Sequence, residues 1–396
     1  MSESYQYDVI IAGAGPAGAS AAIHLARNDL KVLLLDQKTF PRPKVCGEFI
    51  SPECRAHFER LGVNCRMTSS GAAEISETVF YSLYGNRIAV PSSWFGTGNA
   101  MGLSRAEMDH NLLIRAKEVG VDVMEDAVVR KVIKESRAVI GLELLSGNNL
   151  RRFYGNVTID ATGRASVLTR KLEISRHPTR RRRLVAFKAH VENSRGDNRA
   201  CEIYSYPGGY GGLSTIEQGL SNLCFIIEAD KVKEAHSDPE RVVRDNLMRN
   251  PRAAHTLATA RTSGPWLSVA LEGFGRQKVS HTNGLLAIGD SAAFIDPFTG
   301  SGMLMALESG HLAARTIVRF RNELGANSGL SKLAANYAED YGRQFSARLR
   351  FCGMLRRVAF KPRVAELTIN LCSLSQSFRN WIARSTRSPN FIDSGM

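Results

Sequence analysis

The glycine-rich stretch near the start of the chain constrains the fold more than any other part of the sequence. In YDVIIAGAGPAGASAAIHLARNDLKVLLLDQ, residues 9–12 form an apolar run that predicts a strand, and residues 17–26 are rich in helix formers. Between them lie three glycines in GxGxxG spacing: Gly13, Gly15 and Gly18. A second apolar run ends at Asp36. This order of strand, turn, helix and strand predicts a dinucleotide-binding βαβ unit in an α/β fold.

Each residue of this unit has a separate task. Gly13 permits the tight turn, Gly15 leaves room for a pyrophosphate against bare backbone, and Gly18 lets the helix pack close to the strand. The helix that begins near Ala17 presents unpaired N–H groups and a favourable dipole to the diphosphate. Asp36 can accept hydrogen bonds from both hydroxyls of a ribose. An acidic residue at this position disfavours a 2′-phosphate.

Composition places the chain among ordinary globular proteins. With 396 residues, 43% of them hydrophobic, the chain can bury a large core in two domains or in one elaborated domain. Its seven cysteines are scattered and include no CxxC pair, which argues against a disulfide framework and against a zinc site, so no metal is expected. The sequence shows no basic, apolar leader and no membrane-spanning run. A reducing cytoplasm is the expected location.

The net charge of +14 is compatible with nucleic acid, an anionic membrane surface or an anionic cofactor as the partner. Much of the excess lies in TRRRRL, at residues 180–183, and in the last sixty residues. No aromatic platform or zinc-finger spacing accompanies these cations. The distribution therefore argues against nucleic-acid binding.

Two distant segments look like further parts of one cofactor site. In VTIDATGRASVLTR, a short apolar strand ends at Asp160, and Gly163, Ser166 and Arg170 follow in the arrangement D-x-x-G-x-x-S-x-x-x-R. A plain NAD dehydrogenase needs no such second motif.

The other distant segment is GLLAIGDSAAFIDPFTGSGMLMALESGHLAA. Its apolar strand leads to Asp290, which can accept hydrogen bonds from a polyol chain, and Pro297 and Gly300 precede a second glycine turn. A long helix is expected to begin near Gly302 and Met303, and its N–H groups would stabilise negative charge on the pyrimidine edge of a reduced flavin. A plain dehydrogenase needs neither feature.

Together these motifs resemble the FAD-dependent oxidoreductases of the p-hydroxybenzoate hydroxylase and geranylgeranyl reductase superfamily, over about residues 5–330. The resemblance implies a Rossmann-like, GR2-type FAD-binding domain. It also implies that Arg105, in LSRAEMDHNLL, lies near the FAD phosphates and that the backbone of Val129 meets the adenine. Asp290 then holds the ribityl chain, and residues 302–303 lie beside the pyrimidine ring.

In this superfamily the loop after the first acidic residue runs towards the flavin. Here that loop is FPRPKVCGEFISP, residues 40–52, and its three prolines stiffen an extended path. Arg42 and Lys44 offer positive charge to the diphosphate. Cys46 and Gly47 resemble the CG element of geranylgeranyl reductases and are expected to reach the flavin. The alternative is that Cys46 is a small apolar filler of the core.

These inferences define the expected site. Cys46 and Tyr210 are the candidate catalytic residues. The expected cofactor contacts are Gly13, Gly15, Ala17, Gly18, Asp36, Arg42, Cys46, Gly47, Arg105, Val129, Asp160, Gly163, Asp290, Pro297, Gly300, Gly302 and Met303. Further acid–base candidates on the substrate side are Glu48, His190 and Tyr204, each also explicable as structural.

Three parts of the chain are expected: an FAD-binding domain, an antiparallel β-sheet substrate domain and a C-terminal helical region. Their predicted residues are 1–75, 99–175 and 270–330; 76–98 and 176–269; and 331–396. Geranylgeranyl reductases carry a YxWxFP motif in the substrate domain. Here Tyr210 matches it, but Gly212, Ser214 and Thr215 stand in place of Trp, Phe and Pro. This departure argues against a polyprenyl substrate.

The C-terminal region shows apolar and aromatic residues at helical spacing, with arginines on the other faces. Such helices pack on a domain in most proteins. The alternative is a basic amphipathic surface that makes peripheral contact with a membrane, close to lipophilic substrates. The sequence leaves the oligomeric state open.

Three reactions compete. The favoured one is NAD(P)H-dependent monooxygenation of a lipophilic small molecule, polyketide-like or isoprenoid-derived, with NAD(P)H as a transient reductant because the chain has no second GxGxxG. The runner-up is ene-reduction of the geranylgeranyl reductase type, since the CG element is present. Halogenation ranks lower because it needs a lysine near the substrate, and none lies between Lys44 and Lys117. A non-catalytic flavin-binding protein and a simple NAD dehydrogenase are the remaining alternatives.

Overall fold

The structure is a computed structural model that describes residues 5–136, 138–147, 149–172, 183–271, 274–359 and 362–387. Arg180, Arg181 and Arg182 of the basic run therefore lie outside the described residues. The strands, in chain order, are β1 Tyr5–Ala12, β2 Val32–Leu35, β3 Phe49–Ile50, β4 Ala73–Ile75, β5 Glu77–Tyr81, β6 Arg87–Pro91, β7 Ala100–Gly102, β8 Asp122–Met124, β9 Ala127–Glu135, β10 Ala138–Ser146, β11 Asn149–Asp160, β12 Leu184–Glu192, β13 Ala200–Tyr206, β14 Gly209–Thr215, β15 Ser221–Glu228, β16 Arg261–Leu271, β17 Gly275–Arg276, β18 Leu285–Ala287 and β19 Ala293–Phe294.

Helices cover the first sheet and form the end of the described chain. In chain order they are α1 Pro16–Ala26, α2 Cys54–Leu61, α3 Asn64–Ser69, α4 Arg105–Glu118, α5 Val167–Lys171, α6 Ala229–Glu234, α7 Pro239–Asp245, α8 Pro251–Leu257, α9 Gly302–Arg319, α10 Asn327–Ala359, α11 Pro362–Leu374 and α12 Gln376–Ser385. The predicted βαβ unit is present as β1, α1 and β2. Pro16 opens α1, where its missing N–H costs nothing.

The first sheet has the strand order β8-β2-β1-β11-β10-β9, and β18 pairs with the far end of β11. Strands β8, β2, β1, β11 and β18 are parallel, whereas β9 and β10 form an antiparallel meander with β11. In the parallel part, Ala12 lies beside both Leu35 and Asp160, and Asp160 lies beside Ala287. All three cofactor motifs therefore emerge at one edge of the sheet, as a site at the carboxyl ends of parallel strands requires.

The second sheet has the order β16-β12-β15-β14-β13-β5-β6. It is antiparallel, as predicted, at every junction except that between β13 and β5, which run parallel. The physical reason is connectivity: a long stretch of the first sheet separates β5 from β13 in the chain, so no hairpin fixes their direction. The predicted domain boundaries remain a prediction.

The C-terminal helices close the second sheet rather than extend the first. Helix α10 packs on α9, and α11 and α12 both contact β6. Ile369 and Cys372 of α11 form a small buried cluster with Ile88 of β6. Within the described ranges, no helix combines the length and the apolar character needed to cross a bilayer.

Candidate FAD and substrate site

The glycine turn after β1 forms a cradle with three different constraints. Gly13 has a φ of +106°, and a Cβ there would lie 2.2 Å from the carbonyl oxygen of Ala161. A Cβ on Gly18 would lie 1.9 Å from the carbonyl oxygen of Gly13. Gly15 is different, because a Cβ there would meet only the Arg105 guanidinium, at 3.7 Å. The open space at Gly15 fits the pyrophosphate of a dinucleotide.

Asp36, which follows β2, accepts a hydrogen bond from this turn. One carboxylate oxygen accepts hydrogen bonds from the Ala14 N–H, at 3.0 Å, and from the Arg42 guanidinium, at 3.2 Å. Arg42 also lies 3.5 Å from the carboxylate of Asp109. Arg42 is thus held by two carboxylates at the expected ribose end, and its predicted contact with the diphosphate stays a prediction.

Arg105 begins α4, and its predicted position near the FAD phosphates stays a prediction. Ser104 caps the helix by accepting a hydrogen bond from Glu107 N–H. The buried guanidinium donates two hydrogen bonds to Asp109, at 2.8 and 2.7 Å, which is the strong paired geometry. This pairing fixes the guanidinium beside Gly15.

Asp160 joins the second motif to the third. Its buried carboxylate accepts hydrogen bonds from the backbone and hydroxyl of Thr162 and from the hydroxyl of Ser291. Ser291 follows Asp290 directly, so Asp160 positions the residue expected to hold the ribityl chain. A direct contact between Asp160 and the cofactor remains a prediction. Val129 lies in a buried apolar cluster, and its contact with the adenine also remains a prediction.

A single cavity of about 360 Å³ connects these motifs to the substrate side. Apolar side chains from the second sheet and the C-terminal helices, among them Phe80, Ile88 and Ile369, line its other end. The predicted cofactor residues on its wall are Gly15, Ala17, Cys46, Gly47, Arg105, Gly163, Asp290, Pro297, Gly300, Gly302 and Met303. Helix α9 begins at Gly302, as predicted, and among the described residues no side chain caps its first turn.

The loop of residues 40–52 carries a charged network in which the candidates Glu48 and His190 meet Lys188, a residue that the sequence analysis did not single out. Glu48 is fully buried and adopts a left-handed backbone conformation with a φ of +53°. Its carboxylate accepts hydrogen bonds from the Arg105 N–H at 2.8 Å and from Lys188 Nζ at 2.6 Å. His190 Nε2 lies 2.8 Å from the other oxygen. Strain of this kind persists where the surroundings determine it, often at functional sites.

Lys188 and His190 lie two residues apart on β12, so both face the same side of the second sheet. Lys188 is buried, whereas the His190 side chain is 23% exposed and connects Glu48 with solvent. The sequence signal for Lys188 is its place within the apolar strand LVAFKAHVE, where a lysine is unusual. A buried cation predicts a buried carboxylate partner.

This lysine also corrects the argument against halogenation. That argument considered residues between Lys44 and Lys117, whereas the fold brings Lys188 next to the loop. Lys188 nevertheless pairs with Glu48 and does not line the cavity. Lys44 does line it, on the cofactor side, where burial and the neighbouring Arg105 lower its pKa.

Cys46 lies on the cavity wall, and its proximity to the flavin stays a prediction. Its carbonyl accepts a hydrogen bond from Asn222 at 3.0 Å, which ties the loop to β15. Cys224, on the same strand, also lines the cavity. Burial, and then the nearby Cys46, raise the pKa of the Cys224 thiol, which stays protonated at neutral pH. All the cysteines are free thiols.

Tyr210 has a well-defined role in positioning. Its buried hydroxyl donates to the carboxylate of Asp296 and accepts from the Phe298 N–H at 3.0 Å. Asp296 also pairs with Arg356 of α10 at 3.1 Å. Tyr210 therefore links the second sheet to the turn before α9, and direct participation in chemistry stays a prediction.

Comparison with known proteins agrees with this geometry. A family model described as FAD binding domain matches residues 6–338. The chain belongs to this family. It is a family of FAD-dependent oxidoreductases, and the predicted superfamily and fold are confirmed.

Two curated relatives match most of the chain. The menaquinone reductase of Mycobacterium tuberculosis is 27% identical, over 97% of this chain and 95% of its own. Digeranylgeranylglycerophospholipid reductase 2 of Methanopyrus kandleri is 25% identical, over 87% of this chain and 85% of its own. Among solved structures, the flavin-dependent brominase Bmp2 is similar, with a TM-score of 0.80 and 21% identity over 96% of this chain and 93% of that one. The last likeness concerns the fold alone.

Proposed function

We propose that this chain is an FAD-dependent reductase that adds two hydrogens across a carbon–carbon double bond of a lipophilic, isoprenoid-type substrate. Reduced FAD, regenerated by NAD(P)H, would supply the hydride equivalent. The remaining requirement is a proton source at the cofactor end of an apolar cavity. The wall of the cavity carries one.

The observation that supports this proposal is the position of Cys46 and Glu48 on the cavity wall. Cys46 would give its thiol proton to one carbon of the double bond, and reduced FAD would supply a hydride to the other carbon. The backbone N–H of Glu48 lies 3.5 Å from Cys46 Sγ and would stabilise the thiolate that remains after the proton has left. Water that enters the cavity would return the proton to Cys46, so each double bond would take up one hydride and one proton.

The named relatives support the same reading. Both are reductases, and the names of their substrates, menaquinone and a digeranylgeranyl glycerophospholipid, denote long isoprenoid lipids. The apolar cavity extends under the C-terminal helices and suits a long isoprenoid lipid.

Monooxygenation is the second candidate. The observation in its favour is that β14 lacks the Trp, Phe and Pro of the YxWxFP motif, which weakens the match to polyprenyl reductases. NAD(P)H is the reductant in both cases. The two reactions differ in their use of oxygen, so one experiment separates them.

The test is turnover of the purified protein with NADPH and either menaquinone or a digeranylgeranyl glycerophospholipid, under nitrogen and in air. We expect a product heavier by two hydrogens for each reduced double bond, formed at equal rates under both atmospheres. A product heavier by one oxygen and formed only in air would support monooxygenation instead. Flavin that is reduced without any product would favour a non-catalytic role.

A pair of cysteine variants tests the proton source. Cys46→Ala should slow double-bond reduction about 100-fold, because it removes a general acid. Reduction of the flavin by NADPH should be unchanged in stopped-flow measurements. Cys201→Ala is the matched control, since this thiol also lines the cavity but lies on β13. Equal slowing in both variants would contradict a specific role for Cys46.

A further inference from the structure

The last two helices, which the extended Ser375 separates, expose many large apolar side chains. Of the nine large apolar side chains that are exposed in the described part of the chain, seven lie between residues 354 and 381. Six of these recur every three or four residues and are 38% to 84% exposed; they define the α11–α12 stripe, Val364, Leu367, Leu371, Leu374, Phe378 and Trp381. Large exposed patches of this kind mark interaction surfaces.

The sequence that contains the α11–α12 stripe is rich in basic residues. Residues 350–387 contain eight Lys or Arg and a single acidic residue, Glu366. Arg350, Arg357 and Arg384 are exposed, whereas Arg356 and Arg387 pair with Asp296 and Glu53 in the interior. The surface around the stripe is therefore strongly basic.

The opposite face of the same helices lines the cavity. Thr368, Ile369 and Cys372 of α11 and Ile382 of α12 are on its wall. Leu367 and Leu371 are next to these residues in sequence. They point outward, because both side chains are exposed. One layer of helix thus separates the stripe from the apolar end of the cavity.

We propose that the α11–α12 stripe docks on the surface of an anionic lipid bilayer. An exposed apolar row with Trp and Phe, flanked by arginines, has the composition of an interfacial helix. Anionic lipid complements the basic surface, whereas a second copy of this chain would bring two basic faces together. Docking places the apolar end of the cavity beside the bilayer, whichever reaction the site performs.

The test is flotation with vesicles of phosphatidylcholine, with and without phosphatidylglycerol, in the absence of substrate and reductant. We expect the wild-type protein to float with the anionic vesicles and to bind neutral vesicles much more weakly. The triple variant Leu367→Gln, Leu371→Gln, Leu374→Gln should lose binding by about tenfold or more, since each leucine loses its apolar contact with lipid. Leu150→Gln is the matched control, because Leu150 is 61% exposed but lies on β11.

A charge variant tests the electrostatic part. Arg350→Gln, Arg357→Gln, Arg384→Gln should lower binding to anionic vesicles and flatten its dependence on salt. Retained flavin and an unchanged melting temperature show that each variant is folded. Absence of wild-type binding, or equal binding by the triple variant, would overturn the proposal. So would a wild-type dimer that the triple variant dissociates, seen by light scattering, since the stripe would then bind a second copy. None of these results depends on turnover, so they are separate from the test of the reductase.

Discussion

Gly13 and Gly15 belong to one motif but are needed for different physical reasons. Gly13 has positive φ and touches the backbone of Ala161, so the fold itself excludes a side chain there. Gly15 has a φ of −73°, which any residue adopts, and faces open cavity. The first glycine therefore maintains the turn, and the second maintains space for the ligand.

This difference predicts opposite phenotypes. Gly15→Val should fold with a melting temperature close to that of the wild type but lose flavin absorbance, since the valine occupies the pyrophosphate space. Gly13→Ala should lower the free energy of unfolding by several kcal/mol, because the Cβ collides with backbone. Absorbance and thermal unfolding measure the two effects, with Gly325→Val as a control at an open position. Normal flavin content in Gly15→Val would show that the cofactor lies elsewhere.

At the scale of elements, three helices of the first layer meet at three histidines. His24 of α1 stacks on His311 of α9 with ring centroids 4.4 Å apart, and His57 of α2 lies nearby. Burial, and then the neighbouring cations, lower the pKa of His24 to about 3 and those of His57 and His311 to about 4. All three are therefore neutral in the folded protein at physiological pH.

The helix packing should consequently be sensitive to acid. An unfolded histidine binds a proton below a pKa of about 6.5, whereas these folded histidines do not until about pH 4 or below. Stability is therefore complete above pH 6.5 and falls as the pH drops towards 4, by about 1 kcal/mol or less per histidine and pH unit. Urea unfolding at several pH values measures this slope. We expect His311→Asn to reduce it and His255→Asn, at an exposed position on α8, to leave it unchanged. An identical slope in both variants would contradict the assignment.

At the scale of the whole molecule, the cavity exists only because three parts of the chain enclose it. The first sheet supplies the cofactor motifs, the second sheet supplies a wall, and α10 to α12 close the apolar end. The Tyr210, Asp296 and Arg356 contacts join these three parts at one point. The glycine-lined end and the apolar end thus belong to one cavity.

A substitution at the apolar end of the cavity should affect turnover of the substrate without affecting binding of the flavin. Ile369→Trp fills the cavity next to Ile88 and should lower turnover of a long isoprenoid substrate at least about tenfold while leaving flavin content unchanged. Leu374→Trp is the control on the outer face of the same helix, where the side chain is 84% exposed. Flavin content and turnover of both variants provide the measurement. Unchanged turnover in Ile369→Trp would place the substrate outside this end of the cavity.

Local sequence was sufficient for the elements that local physics controls. The glycine spacing, the apolar runs and Asp36 predicted β1, α1 and β2, because turn geometry and strand periodicity act over a few residues. The start of α9 at Gly302 and the end of β11 at Asp160 were predicted for the same reason. The family resemblance added the cofactor.

Tertiary structure alone decided the pairing of distant groups. Glu48 and Lys188 are 140 residues apart in the chain, and nothing in the spacing of either residue names the other. Their contact depends on how the two sheets pack, and a buried charge accepts whichever partner that packing brings within reach. The contact between Ile369 and Ile88 also depends on long-range packing. It places the amphipathic helix α11 against the cavity. Sequence thus determined the cofactor motif, whereas the long-range packing of sheets and helices determined the chemistry around it.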